Sequence, residues 1–174
     1  MTISTQSFTA VNVGSSANDG TGDTLRNAFI TLNNNFQYMG NVGFSAANVV
    51  ASGAIVSTSP TAGIGYATGA GGTVTQLTSK STAVILNTLS GQITANAASL
   101  SAGTEVSFTL NNSTIAATDV PVACISSGAT AGGYGITVDQ VRNGNCRISL
   151  TNLNSGALAE AVVINFVIIK AVAS

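Results

Sequence analysis

The side chains that most often carry out catalysis are scarce in this chain of 174 residues. Histidine is absent, so a serine or cysteine nucleophile has no imidazole to accept its proton. Lysine is the remaining candidate base, but Lys80 lies in Thr-Ser-Lys-Ser, a sequence typical of an exposed loop. Glycoside hydrolysis needs two carboxylates on one groove, and nothing in the sequence pairs the six acidic residues. The sequence therefore predicts a protein that is not an enzyme.

Two glycine-containing segments have the composition of ligand-binding loops. The segment from Asn18 to Asp23 alternates oxygen-bearing side chains with glycine, but it lacks the later glutamate that completes an EF-hand calcium loop. Asx turns followed by a helix N-cap at Asp23 account for the same residues. The segment from Gly69 to Gly72 has no following lysine or helix, so it predicts a hairpin turn rather than a phosphate-binding loop. We expect no cofactor.

Cys124 and Cys146 are the two cysteines. In a protein assembled in the cytoplasm they are predicted to be unpaired, small, buried side chains on neighbouring strands, with a disulfide as the alternative. Zinc binding is not expected, because the chain has neither a histidine nor a Cys-x-x-Cys pair.

Charged residues make up 6% of the chain, against about 25% in an average soluble protein. A monomer normally covers its surface with charge, so we expect a Ser, Thr, Asn and Gly surface that is partly hidden against other subunits. The net charge of −1 predicts binding neither to nucleic acid nor to a membrane surface. The longest apolar run, residues 161–169, is broken by Asn165 and is shorter than the ~20 residues of a membrane helix. No signal peptide is recognised at the N-terminus, so assembly in the cytoplasm is expected.

A helix is the first element that the pattern predicts. It runs from Asp23 to Met39, with Gly40 as the C′ residue. Its apolar side chains alternate at spacings of four and three, the heptad seam by which helices wrap around copies of themselves. The seam consists of Leu25, Phe29, Leu32, Phe36 and Met39. Because so short a helix does not hold a coiled coil alone, the rest of the chain is expected to contribute.

Short strand candidates with turn signals between them fill the remainder of the chain. They are residues 65–68 paired with 73–76, 83–87 paired with 91–95, 105–111, 120–126, 134–141 paired with 145–151 across Asn143-Gly144, and 161–172. The spacing predicts a mainly β fold, a jelly-roll-like β-sandwich over residues 63–174. An extended N-terminal arm at 1–22, the coiled-coil-type helix at 23–39 and a linker at 40–62 precede it. Residues 8–13 of the arm alternate weakly, as does a strand that adds to a partner's sheet edge.

The last strand candidate is apolar on both faces. Val162, Ile164, Phe166 and Ile168 lie on one face, and Val163, Asn165, Val167 and Ile169 lie on the other. A sandwich strand needs one apolar face, so the second predicts contact with a neighbouring subunit. The predicted oligomer interface is therefore Leu25, Phe29, Leu32, Phe36, Met39, Val163, Val167 and Ile169.

Two stretches of this sequence resemble parts of phage structural proteins. Val11-Asn12-Val13-Gly14, Ala17 to Asp23 and Leu25 through Phe36 resemble the N-terminal segment of virion proteins from tailed bacteriophages, especially those of cyanobacterial and marine hosts. The stretch from Gly65 to the C-terminus resembles a β-rich domain that recurs in phage fibre and capsid-surface proteins. The resemblance implies a non-enzymatic homotrimer of the virion, a capsid decoration, cement or head-fibre protein. Its partners would be its own copies and the major capsid protein or other virion proteins.

Two other functions remain open at the level of sequence. The same trimer on a tail fibre or baseplate would use its β-domain to bind a host receptor. Such a tip would expose aromatic side chains, for which Tyr66 and Tyr134 beside the glycine-rich turns are the candidates. A secreted bacterial adhesin module is a third class, disfavoured because no signal peptide is recognised.

Overall fold

The computed structural model describes residues 9–16, 19–42, 52, 54–56, 60–61 and 63–173, and for residues 38–42 the backbone only. The chain divides into two compact units, Met1–Val56 and Ser57–Ser174. Among the described residues, the first contains one helix and the second contains two β-sheets. Of the predicted linker, residues 40–42 belong to the helix, and the other described residues, 52, 54–56 and 60–61, contain no strand.

Helix α1 of the first unit spans Leu25–Val42. Thr24 is its N-cap residue, because the Asn27 N–H donates to Thr24 Oγ1 at 3.4 Å. The prediction that Asp23 caps the helix is wrong, because its carboxylate instead accepts the backbone N–H of Asn12 at 2.9 Å. The predicted stop at Gly40 is also wrong, since the helix continues through it. Glycine weakens a helix interior by about 1 kcal/mol without ending it.

Eight strands form two four-stranded sheets in the second unit. They are β1 Gly71–Thr75, β2 Val84–Ile85, β3 Ser90–Thr94, β4 Glu105–Asn111, β5 Val120–Ser127, β6 Tyr134–Arg142, β7 Asn145–Asn152 and β8 Val163–Ile169. The order is β1-β3-β8-β5 in sheet I and β2-β4-β7-β6 in sheet II. The prediction of a mainly β chain with a β-sandwich is confirmed. Within the described part of the chain, no helix is long and apolar enough to cross a membrane.

Inward side chains of both sheets form one hydrophobic cluster. The alternation of β4 predicts that Val106, Phe108 and Leu110 face the core. In sheet II, Phe108 and Leu110 are buried and Val106 is half-buried against the same cluster. Sheet I contributes the inner face of β8, where Val162 just before the strand and Ile164, Phe166 and Ile168 within it are all buried. Both patterns predicted from sequence are confirmed.

Strand pairing follows the sequence prediction in one hairpin and departs from it in two. Arg142 pairs with Asn145, so Asn143-Gly144 forms the two-residue turn of the β6–β7 hairpin, with Gly144 at φ 84°. The predicted hairpin of 83–87 with 91–95 is wrong, because β2 and β3 lie in different sheets. The connection after β2 bonds first to sheet II (Leu86 N–H to Asn111 O) and then to sheet I (Ile168 N–H to Leu89 O).

The other predicted hairpin is also wrong, because residues 65–68 form no strand. β1 pairs with β3 in parallel, as β2 does with β4. These two parallel pairs depart from the antiparallel pairing of a jelly roll.

Candidate self-association surfaces

The predicted seam of α1 is uncovered in the single chain. Its exposed fractions are 74% for Leu25, 57% for Phe29, 40% for Leu32 and 62% for Phe36. The side chain of Met39, the fifth seam residue, lies outside the described residues. Large apolar side chains aligned on one side of a helix and open to water mark a contact with another molecule.

The N-terminal arm lies along a different side of α1. The Asn35 side chain accepts the Thr9 N–H at 3.2 Å and donates to the Thr9 carbonyl at 2.9 Å. Ala28, Thr31 and Asn35, which share this side of the helix at spacings of three and four, are half-buried. The described arm residues 9–13 form no strand in this chain. The described part of the arm therefore flanks the seam and leaves it open.

The loop between arm and helix is closed by backbone hydrogen bonds to Asp19. Its carboxylate accepts the N–H groups of Ser15 at 2.6 Å, Ser16 at 2.7 Å and Thr21 at 2.9 Å. These bonds, that of Thr21 first, lower the pKa of Asp19 to about 2. The Asx turn predicted here is confirmed at Asp19. Among the described residues, no three His, Cys, Asp or Glu side chains converge as metal ligands.

The outer face of β8 is the second predicted surface. β8 lies in the centre of sheet I, between β3 and β5. Val163 and Val167 are half-buried by neighbouring side chains, and Ile169 is exposed. The sheet brings these three together on one surface, whereas Leu25, Phe29, Leu32 and Phe36 lie in the other unit.

Strand β5 extends this surface and was not predicted to belong to it. Val120 pairs with Ile169, Val122 with Val167 and Cys124 with Asn165, and all three β5 side chains are exposed. The sequence does contain a signal for this surface, because β5, like β8, has small and apolar side chains on both of its faces. We name the combined surface the β5–β8 patch: Val120, Val122, Cys124, Val163, Val167 and Ile169.

The outer faces of the two sheets differ in their charged residues. Sheet II carries Glu105, Asp139 and Arg147, and the guanidinium of Arg147 donates to the Asp139 carboxylate at 2.7 and 2.5 Å. That bond lowers the pKa of Asp139. None of the residues in the four strands of sheet I is charged. At its border, Asp119 and Lys170 are paired with each other at 2.5 Å.

The cysteines differ from the prediction that both are buried on neighbouring strands. Both are free, Cys124 being exposed on β5 of sheet I and Cys146 buried on β7 of sheet II. Cys124 is exposed because it falls in the outward phase of β5. Burial raises the pKa of the Cys146 thiol to about 11.

Lys80 is buried, which corrects its prediction as an exposed loop residue; its exposed fraction is 3%. Its ammonium donates to the backbone carbonyls of Asn96 and Glu160, tying the segment after β1 to the one before β8. Burial lowers the pKa of Lys80, against the opposing charge of Glu160. Tyr134 is buried as well, and in the described structure its hydroxyl and Glu160 Oε2 have no hydrogen-bond partner.

No known protein family, no curated protein and no solved structure matches this chain. Its function is therefore inferred from its own surfaces. Two exposed apolar surfaces, the seam of α1 and the outer face of sheet I, indicate contact with another molecule.

Proposed function

We propose that this chain is a non-enzymatic structural protein of a phage virion, a homotrimer that decorates or cements the capsid or forms a head fibre. The observation that carries self-association is the uncovered heptad seam of α1. A seam of this spacing is matched by the same seam on a copy of itself, so the partner that it fits best is another copy of the chain. The number of three copies rests on the resemblance to virion proteins of tailed phages. The place in a virion rests on the resemblance of residues 11–36 and 65–174 to phage virion proteins.

The energetics of the seam favour this assembly. Fully burying a Leu or Phe side chain yields about 1.5–3 kcal/mol. The four described seam residues are between 40% and 74% exposed, so most of that gain is still available when copies meet. The outer face of β8, with Val163, Val167 and Ile169, is a further apolar surface that remains open for contact between copies outside the α1 seam.

The low charge of the chain suits a protein that makes large contacts within a particle. Burying an unpaired charge costs several kcal/mol, whereas Ser, Thr and Asn side chains are desolvated at a smaller cost when they are hydrogen-bonded. With 6% charged residues, a trimer of this chain can cover capsid protein over a wide area. The resemblance to phage virion proteins makes the major capsid protein or another virion protein the proposed partner, and the virion the proposed location.

The alternative is a tail-fibre or baseplate trimer whose β-domain binds a host receptor. It depends on exposed aromatic side chains, and the burial of Tyr134 leaves Tyr66 as the one candidate of the two that is exposed. The hydroxyl of Tyr66 already donates to the carbonyl of Ile168 at 2.9 Å. We therefore favour the capsid function.

The experiment that tests the proposal is cryo-electron microscopy of the particle that carries this chain. We expect its density on the icosahedral shell, at three-fold or quasi-three-fold positions. Density at the tail or baseplate alone would establish the alternative, and absence of the chain from the particle would overturn both.

A further inference from the structure

We infer that the β5–β8 patch is a second self-interface, which packs face to face on the same patch of another copy about a two-fold axis and so joins one trimer to another. This inference rests on the proposed function for the trimer, and it adds a contact with a different symmetry. The occupant to which it commits is a copy of this chain.

Charge is the first reason for a copy as the occupant. Face-to-face packing of identical surfaces places like groups opposite like groups near the axis, so a charged patch would repel itself. The strands of sheet I carry no charged residue, and the two charges at the border neutralise each other through the Lys170–Asp119 bond. The outer face of sheet II, with Glu105, Asp139 and Arg147, does not meet this condition.

Hydrogen bonding is the second reason. Beside the patch, Gln92 Nε2 donates to Asn165 Oδ1 at 3.0 Å on the outer face of the sheet. These amides therefore keep a mutual partner when water leaves. The side chains of the patch itself are aliphatic apart from the thiol of Cys124, so they need no complementary polar group from a different protein.

The area of the sheet determines how strong such a contact is. The whole outer face of sheet I, four strands spaced ~4.8 Å apart and ~20 Å long, has a flat area of ~400 Å², and the two strands of the patch account for about half of it. A stable interface buries about 800 Å² per partner, so this face of a single chain supports weak association only. Two trimers joined through the whole outer faces of three sheets bury up to ~1,200 Å² per trimer, which passes that value, and the linkage raises the effective concentration at each contact.

Symmetry gives the consequence for assembly. A three-fold arrangement contains no two-fold axis, so a two-fold patch contact joins chains of different trimers. When the three patches of one trimer meet the three patches of another, the product is six copies.

Cys124 provides a natural reporter because it lies within the patch and is exposed in the single chain, whereas Cys146 is buried. The experiment alkylates the full-length protein with a maleimide reagent over a dilution series and measures its mass by analytical ultracentrifugation. Val122→Lys introduces a charge into the patch. Thr137→Lys is the matched control, since it places the same charge at an exposed position on the outer face of sheet II.

At high concentration we expect a mass of six copies and alkylation of Cys124 slowed at least ~10-fold, the effect of about 1.4 kcal/mol of association. Dilution and Val122→Lys should restore both trimers and rapid alkylation, while Thr137→Lys should behave as the unmodified protein.

A stable trimer whose Cys124 reacts equally fast at every concentration overturns this inference alone. A monomer with reactive Cys124 overturns the proposed trimer as well, and a dimer with protected Cys124 supports the patch but contradicts the trimer. Should Val122→Lys fail to fold, the dilution series of the unmodified protein still decides.

Discussion

Replacing Phe29 and Phe36 by serine should dissociate the trimer. Their side chains are 57% and 62% exposed in the single chain, and full burial of a phenylalanine yields about 1.5–3 kcal/mol. The pair therefore contributes about 2–3.5 kcal/mol per chain and about 5–11 kcal/mol per trimer. Because each 1.4 kcal/mol is a factor of ten, the trimer dissociation constant should rise by about four to eight orders of magnitude.

The substitutions are well matched for helix formation, since serine and phenylalanine have similar intrinsic helix propensities. The loss of trimer would therefore report lost burial rather than a melted helix. Asn27→Ser together with Asn34→Ser is the control, because both asparagines are exposed and lie on the side of α1 away from the seam. The assay is size-exclusion chromatography with light scattering, against a monomer mass of 17.2 kDa. An intact trimer of the Phe29→Ser, Phe36→Ser variant would refute the assignment of α1 as the trimerising element.

Two further predictions concern the β unit. Gly91→Ala should lower the free energy of unfolding by about 1–3 kcal/mol, because the added Cβ would lie 2.8 Å from both a backbone oxygen and a leucine methyl group. Gly156→Ala is the control, since its Cβ enters open space and should change the free energy of unfolding by less than ~0.5 kcal/mol. Chemical denaturation measures both variants, and equal values would contradict the close packing at Gly91. Hydrogen bonds from the Ala116 N–H and from Lys170 lower the pKa of Asp119, so its stabilisation is present above its unfolded pKa of ~3.9 and is lost as pH falls through the folded value. Urea unfolding should therefore find Asp119→Asn less stable than the unmodified protein at neutral pH, with the difference shrinking in acid, and a pH-independent difference would show that the charge of Asp119 does not matter.

Local sequence patterns predicted correctly those elements that do not depend on contacts with distant segments. β4 matches its predicted bounds, because its alternation fixes both its state and its inward face. Asn143-Gly144 likewise predicted the β6–β7 hairpin, because Asn-Gly between two strands is the strongest short signal for a two-residue hairpin turn. The α1 seam was found from heptad spacing, and its exposure agrees with a surface that is complete only between copies.

Contacts between distant segments escaped prediction. Nothing local distinguishes the parallel pairing of β1 with β3 from the hairpin that was expected, because loop composition does not encode which sheet receives the next strand. Lys80 was assigned to solvent from its polar neighbours, yet its two acceptors lie 16 and 80 residues away in sequence. The outward face of β5 became significant only when the register placed it beside β8.

The measurement that tests the central claim most directly is the mass of the unmodified full-length protein in solution by sedimentation equilibrium. The proposed homotrimer predicts three copies of the 17.2 kDa chain, or a multiple of three, with little monomer, because the α1 seam is exposed in the single chain. A monomer that persists at high concentration would contradict self-association through α1, and with it the proposal of a homotrimeric structural protein.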